Sequence, residues 1–194
     1  MVTALVVGGA HCVWDDLEKA REFGPFDATA CINDMLAHYE GPVDYAVSLH
    51  PEHFGRWLGE REAKGFPPPA KVVAHKGNTQ EERRHVYPLD IVTDFRWPGM
   101  TDSGSSGLFA VKVLLEEGFD RIVLCGVPMD PQQSHFHDKD NWHHADTFFP
   151  AWERMFDHYG EQTRSVSGRT KDLLGYPTQE WISETELKEK PDGR

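Results

Sequence analysis

Gly104-Ser105-Ser106-Gly107-Leu108-Phe109-Ala110-Val111-Lys112-Val113-Leu114-Leu115-Glu116-Glu117-Gly118-Phe119-Asp120-Arg121-Ile122-Val123-Leu124-Cys125-Gly126 is the stretch that decides the fold. A small-residue turn leads into apolar residues at 108, 111, 114 and 115, the spacing of one helix face, and Gly118 stops the helix. Residues 121–125 then form an apolar, β-branched run that reads as a buried strand. Turn, helix and strand make half of a parallel α/β unit. In such units ligands gather beyond the carboxyl ends of the strands. Helix N-termini there offer unpaired N–H groups and a dipole that favours anions. Ser103, Ser105, Ser106 and Gly107 stand at such a helix start, which makes them a candidate cradle for a phosphate or carboxylate. The plainer reading of any one of these serines is a helix cap.

Upstream, the same grammar repeats. Ala4–Val7 is a short apolar strand running into Gly8-Gly9-Ala10, with a helix expected from Trp14 to Phe23. The glycines let a backbone approach a ligand closely, but the third glycine of the dinucleotide fingerprint is missing. Ala28–Ile32 is a second strand ending at Asn33 and Asp34, and Asp44–Ser48 a third ending near His50. A helix is expected from about Glu52 to Lys64, then an exposed proline connection at 67–69. Lys71–His75 is a fourth strand, Thr79–Arg84 a solvated charged run, and Asp90–Thr93 a short edge strand.

Downstream of Cys125 the composition changes. Residues 134–146, Ser-His-Phe-His-Asp-Lys-Asp-Asn-Trp-His-His-Ala-Asp, are too polar for a core and rich in groups that titrate or bind metals. A helix with apolar positions 148, 149, 152, 155, 156 and 159 follows, with Pro150 expected in its first turn. Thr163–Val166 reads as a last strand and Thr170–Leu174 as a short helix. The fold expected is therefore a single Rossmann-like α/β domain over 1–187, with a largely parallel sheet and helices on both faces. A charged, frayed tail is expected at 188–194.

Composition narrows the function classes. A net charge of −12 over 194 residues opposes general binding to nucleic acid or to an anionic membrane surface. Three widely spaced cysteines, two of them in apolar runs, do not make a disulfide framework. No stretch is long enough to span a bilayer and no signal segment is evident, so a cytoplasmic protein is expected.

Two blocks carry a family resemblance. Leu5–Gly9 leads by a helix to Asp27–Asp34, and Ser105-Ser106-Gly107 leads by a helix to Gly118–Gly126. Together they resemble the superfamily of bacterial sialyltransferases and pterin diphosphokinase-like proteins, and the rest of the chain is similar to small phage and prophage proteins. The resemblance implies a nucleotide or nucleotide-sugar partner, contacted at Asn33 and Ser106. It also implies a histidine before a late helix as general base, a position that His143 and His144 both fit. Members typically carry Gly-Asn-Gly or a similar triplet where this chain has Gly8-Gly9-Ala10, so the contact of that Asn does not carry over.

The leading expectation is thus nucleotide-dependent glycosyl transfer with no required cofactor. Nucleotide contacts are expected at Gly8, Gly9, Asn33, Asp34, His50, Ser105, Ser106 and Gly107, with His143 or His144 as base. The alternative is diphosphate transfer with magnesium held by Asp130, Asp138 and Asp140. A site for a transition metal within the His135–Asp146 run, an idle exposed loop, and a nucleotide-binding module without turnover also stay open.

Overall fold

A computed structural model describes residues 1–75, 87–138 and 141–183. The charged run Thr79–Arg84, Asp140 and the tail 188–194 lie outside the described residues. Seven strands form one sheet: β1 (Thr3–Val7), β2 (Ala28–Ile32), β3 (Tyr45–Ser48), β4 (Lys71–His75), β5 (Ile91–Thr93), β6 (Arg121–Cys125) and β7 (Thr163–Ser165). Their order is β5-β4-β3-β2-β1-β6-β7, and every neighbouring pair is parallel. The chain builds outward from β1 on one side, then returns to β1's other flank with β6. β1 and β6 therefore flank the point where the winding reverses, the place at which α/β sheets open a crevice.

Both faces of the sheet are covered because its central strands are apolar throughout. Ala4, Val6, Ile122 and Leu124 pack into one core with α3 (Ser106–Glu116) and α4 (Ala145–Arg154). Leu5, Val7, Val123 and Cys125 pack into another with α1 (Val13–Ala20) and α2 (Phe54–Ala63). Alternate residues of one strand thus serve opposite layers, as the two-residue period of a strand requires. Two short helices, α5 (Gly168–Leu174) and α6 (Gln179–Ser183), follow β7, and α6 plugs Trp181 against the second core. Among the described residues no helix is long and apolar enough to cross a membrane. All three cysteines are free, and burial pushes the Cys12 thiol up to about 12.

Local details depart from the sequence reading in three places. Asn33 and Asp34, read as the end of the second strand, open a 3-10 helix spanning Asn33–Ala37. α4 ends at Arg154, where a separate 3-10 turn, Phe156–His158, takes over the apolar spacing that seemed continuous to Tyr159. Pro150 lies in the second turn of α4, not the first. Its missing N–H would have bonded the carbonyl of Asp146, a residue exposed to water that can take the bond instead.

Candidate active site at the β1–β6 switch point

The carboxyl ends of β1, β2, β3 and β6 open into a cleft of about 410 Å³. That volume suits a small ligand. One wall begins at Asn33, which leaves β2 with φ of +53°, a left-handed conformation that asparagine tolerates better than most residues. Its carboxamide is set from behind: the buried Ser48 hydroxyl donates to Asn33 Oδ1 at 2.8 Å and accepts from the His50 amide at 2.9 Å. With Oδ1 held this way, the two N–H donors of the Asn33 amide remain for a ligand.

The serine turn divides its labour. Ser105 is the N-cap of α3, its Oγ accepting from the Leu108 amide at 3.3 Å and from Trp152 Nε1 at 3.2 Å. Ser106 Oγ accepts from the Leu49 amide at 3.2 Å and so ties α3 to the end of β3. Both hydroxyls are therefore structural acceptors first, and each keeps one proton to donate. The first-turn amides of Ser106 and Gly107 have no intrahelical acceptor, and both residues line the cleft. Gly107 is required for packing as well: a Cβ there would come within 2.9 Å of Val127 Cγ1.

The Gly8-Gly9 turn serves the opposite wall. A Cβ on Gly8 would stand 2.5 Å from the Gly126 carbonyl oxygen, so this glycine lets the β1 and β6 turns touch. Gly8 does not line the cleft, whereas Gly9 does. Its missing side chain makes room for an imidazole, since a Cβ would lie 2.1 Å from His135 Nε2. The backbone confirms this pairing: the Phe136 amide donates to Gly9 O at 3.0 Å and the His11 amide to Ser134 O at 3.1 Å. The glycines expected to cradle a ligand thus hold the loop that follows β6.

That loop, residues 126–144, supplies Pro128, Met129, Asp130, Gln133, Ser134, His135, Trp142 and His144 to the cleft. Of the two candidate bases, His144 lines it and His143 does not. His144 is the N-cap residue of α4, its ring 6.4 Å from that of Phe148 and without a hydrogen-bond partner among the described residues. His50 also lines the cleft, its Nδ1 3.3 Å from Glu52 Oε1. Asp130 is on the wall with Oδ1 accepting from the Gln132 amide, while Asp138 is not among the lining residues. The described residues lining the cleft include no lysine or arginine.

Sequence reasoning named Asp34 only as a nucleotide contact. It is bonded to the loop: His137 Nε2 lies 2.6 Å from Asp34 Oδ2, and His135 Nε2 3.3 Å from Oδ1. Burial pushes the Asp34 carboxyl up, but the hydrogen bonds and charges of the two imidazoles outweigh it and leave it at about 2. The roles of Ser48, Gln133, Trp142 and Phe148 were also missed. The two imidazoles are brought together by a turn in which the Asp138 amide donates to the His135 carbonyl at 3.2 Å.

Three solved structures share this architecture over almost the whole chain. A single-residue variant of the sialyltransferase CstII in complex with CMP superposes with a TM-score of 0.65 at 13% identity, covering 97% of this chain and 91% of that one. The fold is sialyltransferase-like. CstII from Campylobacter jejuni with the substrate analogue CMP-3FNeuAc gives a TM-score of 0.62 at 14% identity, covering 99% and 92%. The same enzyme with cytidine-5'-monophosphate gives 0.59 at 13% identity, over the same shares. No protein-family model and no curated protein matches the sequence.

Proposed function

We propose that the cleft binds a cytidine nucleotide sugar and that the protein is a glycosyltransferase of the sialyltransferase kind, with His144 as general base. The observation that carries this reading is that His144, Asn33 and the α3 N-terminus line one cleft. Glycosyl transfer needs a group that removes the proton from the acceptor hydroxyl and donors that stabilise the departing phosphate. The imidazole of His144 suits the first task, and the Ser106 and Gly107 amides with the serine hydroxyl protons suit the second. Asn33, fixed by Ser48, is placed to donate two hydrogen bonds to the nucleotide. Solved CstII structures containing CMP or a CMP-sugar analogue support a cytidine base in particular.

Diphosphate transfer with magnesium has less behind it. Asp130 alone of its carboxylates lines the cleft among the described residues, and Asp130 Oδ1 is occupied by a turn amide.

The test is direct. CMP should raise the melting temperature, because it binds the folded state alone, and a CMP-linked sugar should release CMP in the presence of an acceptor alcohol. Stabilisation by CMP without release of product would reduce the protein to a binding module. Absence of both would end the nucleotide reading.

A further inference from the structure

The sharpest convergence of chemistry-bearing groups is not the proposed base but the junction of Asp34 with the β6–α4 loop. Asp34, His135 and His137 bring one carboxylate and two imidazoles to one point, with candidate ligand atoms all within 4.8 Å of one another. The two histidines are far from Asp34 in sequence, 103 positions separating Asp34 from His137, so local chain geometry does not explain the meeting. Both imidazoles turn Nε2 to the carboxylate, and each addresses a different oxygen. The chain also clears space for one of them: only glycine at position 9 leaves room for the His135 ring. His135 Nδ1 is enclosed and without a partner among the described residues, so Nε2 is the nitrogen this residue offers to the junction.

We propose that Asp34, His135 and His137 form a site for a divalent metal of the zinc class. Two imidazoles and one carboxylate are the donor set of such ions, whereas magnesium prefers oxygen donors alone. The distances are close to those a metal would set. A tetrahedral ion with bonds of about 2.0–2.2 Å holds its ligand atoms about 3.3–3.6 Å apart. The His135–Asp34 pair is already at 3.3 Å. The His137–Asp34 pair, now a hydrogen bond of 2.6 Å, opens by a small rotation of a half-exposed side chain. Three protein ligands leave a coordination position free, and two of the three, Asp34 and His135, are part of the cleft wall. On the nucleotide reading of that cleft, the ion supplies positive charge to a wall whose described residues include no lysine or arginine. The metal site itself does not rest on that reading.

The experiment uses the full chain, stripped with chelator and titrated with zinc and, separately, with cobalt, whose visible absorption reports its coordination. No nucleotide is present, so failure of the metal site and failure of the nucleotide reading are told apart. One equivalent of zinc should bind at micromolar concentration and raise the melting temperature. Asp34→Asn, His135→Gln and His137→Gln should each weaken uptake by more than the roughly 10–100-fold that loss of an outer-shell partner costs. Near-ultraviolet circular dichroism of each variant establishes that it is folded, and His137→Gln, at the most exposed of the three positions, is the variant least dependent on that control. Failure to take up zinc at micromolar concentration would overturn the proposal. So would stoichiometric uptake that all three folded variants retain, which would mark a surface histidine elsewhere as the binder.

Discussion

The two walls of the cleft are built on different principles. On the β2–α3 side every polar side chain is tied into the framework: Ser48 to Asn33, Ser105 to Leu108 and Trp152, Ser106 to Leu49. Ser48, Ser105 and Ser106 are all buried. The other side is the loop after β6, attached by the isolated antiparallel bridge Ala10–His135 and by the Asp34 junction, while a second bridge, Ser134–Asn141, closes the loop on itself. Its histidines at 137, 143 and 144 are exposed. A wall of satisfied, buried groups fixes a ligand's position, because moving any of them leaves a polar atom unpaired. A loop whose cleft-lining His144 is exposed, its ring without a hydrogen-bond partner among the described residues, can move at little structural cost. The division fits the proposed function, in which one side binds and the other transfers a proton.

The largest effect should come from the loop. His144→Ala is expected to lower kcat by about 10²–10⁴-fold, the usual contribution of a general base, with CMP affinity and melting temperature nearly unchanged. His143→Ala, outside the cleft, should leave kcat near the parent value. Equal losses in both variants, or in neither, would break the assignment of chemistry to that wall.

Next in size is a change to the framework wall. Gly107→Val puts a branched side chain against Val127 and Trp152, and overpacking of this kind costs about 1–3 kcal/mol. Here the expected signature is reversed: a lower denaturation midpoint together with weaker CMP binding, since the same residue carries a first-turn amide. A variant as stable as the parent would show that α3 can shift, and the rigid character given to this wall would be lost.

The smallest effect sharpens the comparison. Ser48→Ala removes the donor to Asn33 Oδ1 and the acceptor of the His50 amide, at a cost of about 1–2 kcal/mol. CMP affinity should fall several-fold while kcat at saturating substrate stays the same, which titration calorimetry and steady-state rates can separate. A fall in kcat with unchanged affinity would mean that this wall takes part in the chemistry.

Much of the fold could be read from the chain because its signals are local. Central strands buried on both faces are written as short apolar runs, and β1, β2, β3, β4 and β6 lie within a residue of where those runs predict them. The start of α3 was equally plain, since Ser105, a preferred capping residue, precedes a sustained helical period. α6 was not visible: five residues, Gln179–Ser183, carry too little periodicity, and the helix is held by the docking of Trp181 rather than by its own sequence.

The site was legible in part. That Asn33, Ser106 and a late histidine share one sheet edge follows from parallel topology, in which all strands point their carboxyl ends the same way. What each group does there depended on partners distant in the chain. Gly9 reads as a ligand-facing glycine until His135 is seen occupying the space of its missing Cβ. Gly8 reads the same way until the Gly126 carbonyl is found against it. Asp34 reads as a polar strand end until two imidazoles arrive from the β6–α4 loop. His143 and His144 are adjacent and chemically identical, and only the direction in which α4 leaves the loop puts one of them on the cleft. Sequence determined the strands and their common edge, because periodicity and hydrophobic burial are properties of short segments, while the strand order came from the fold. Tertiary structure alone decided which polar groups are consumed as structural bonds and which remain free, because a hydrogen bond or a steric gap belongs to a pair of residues and the pairing is made by the fold.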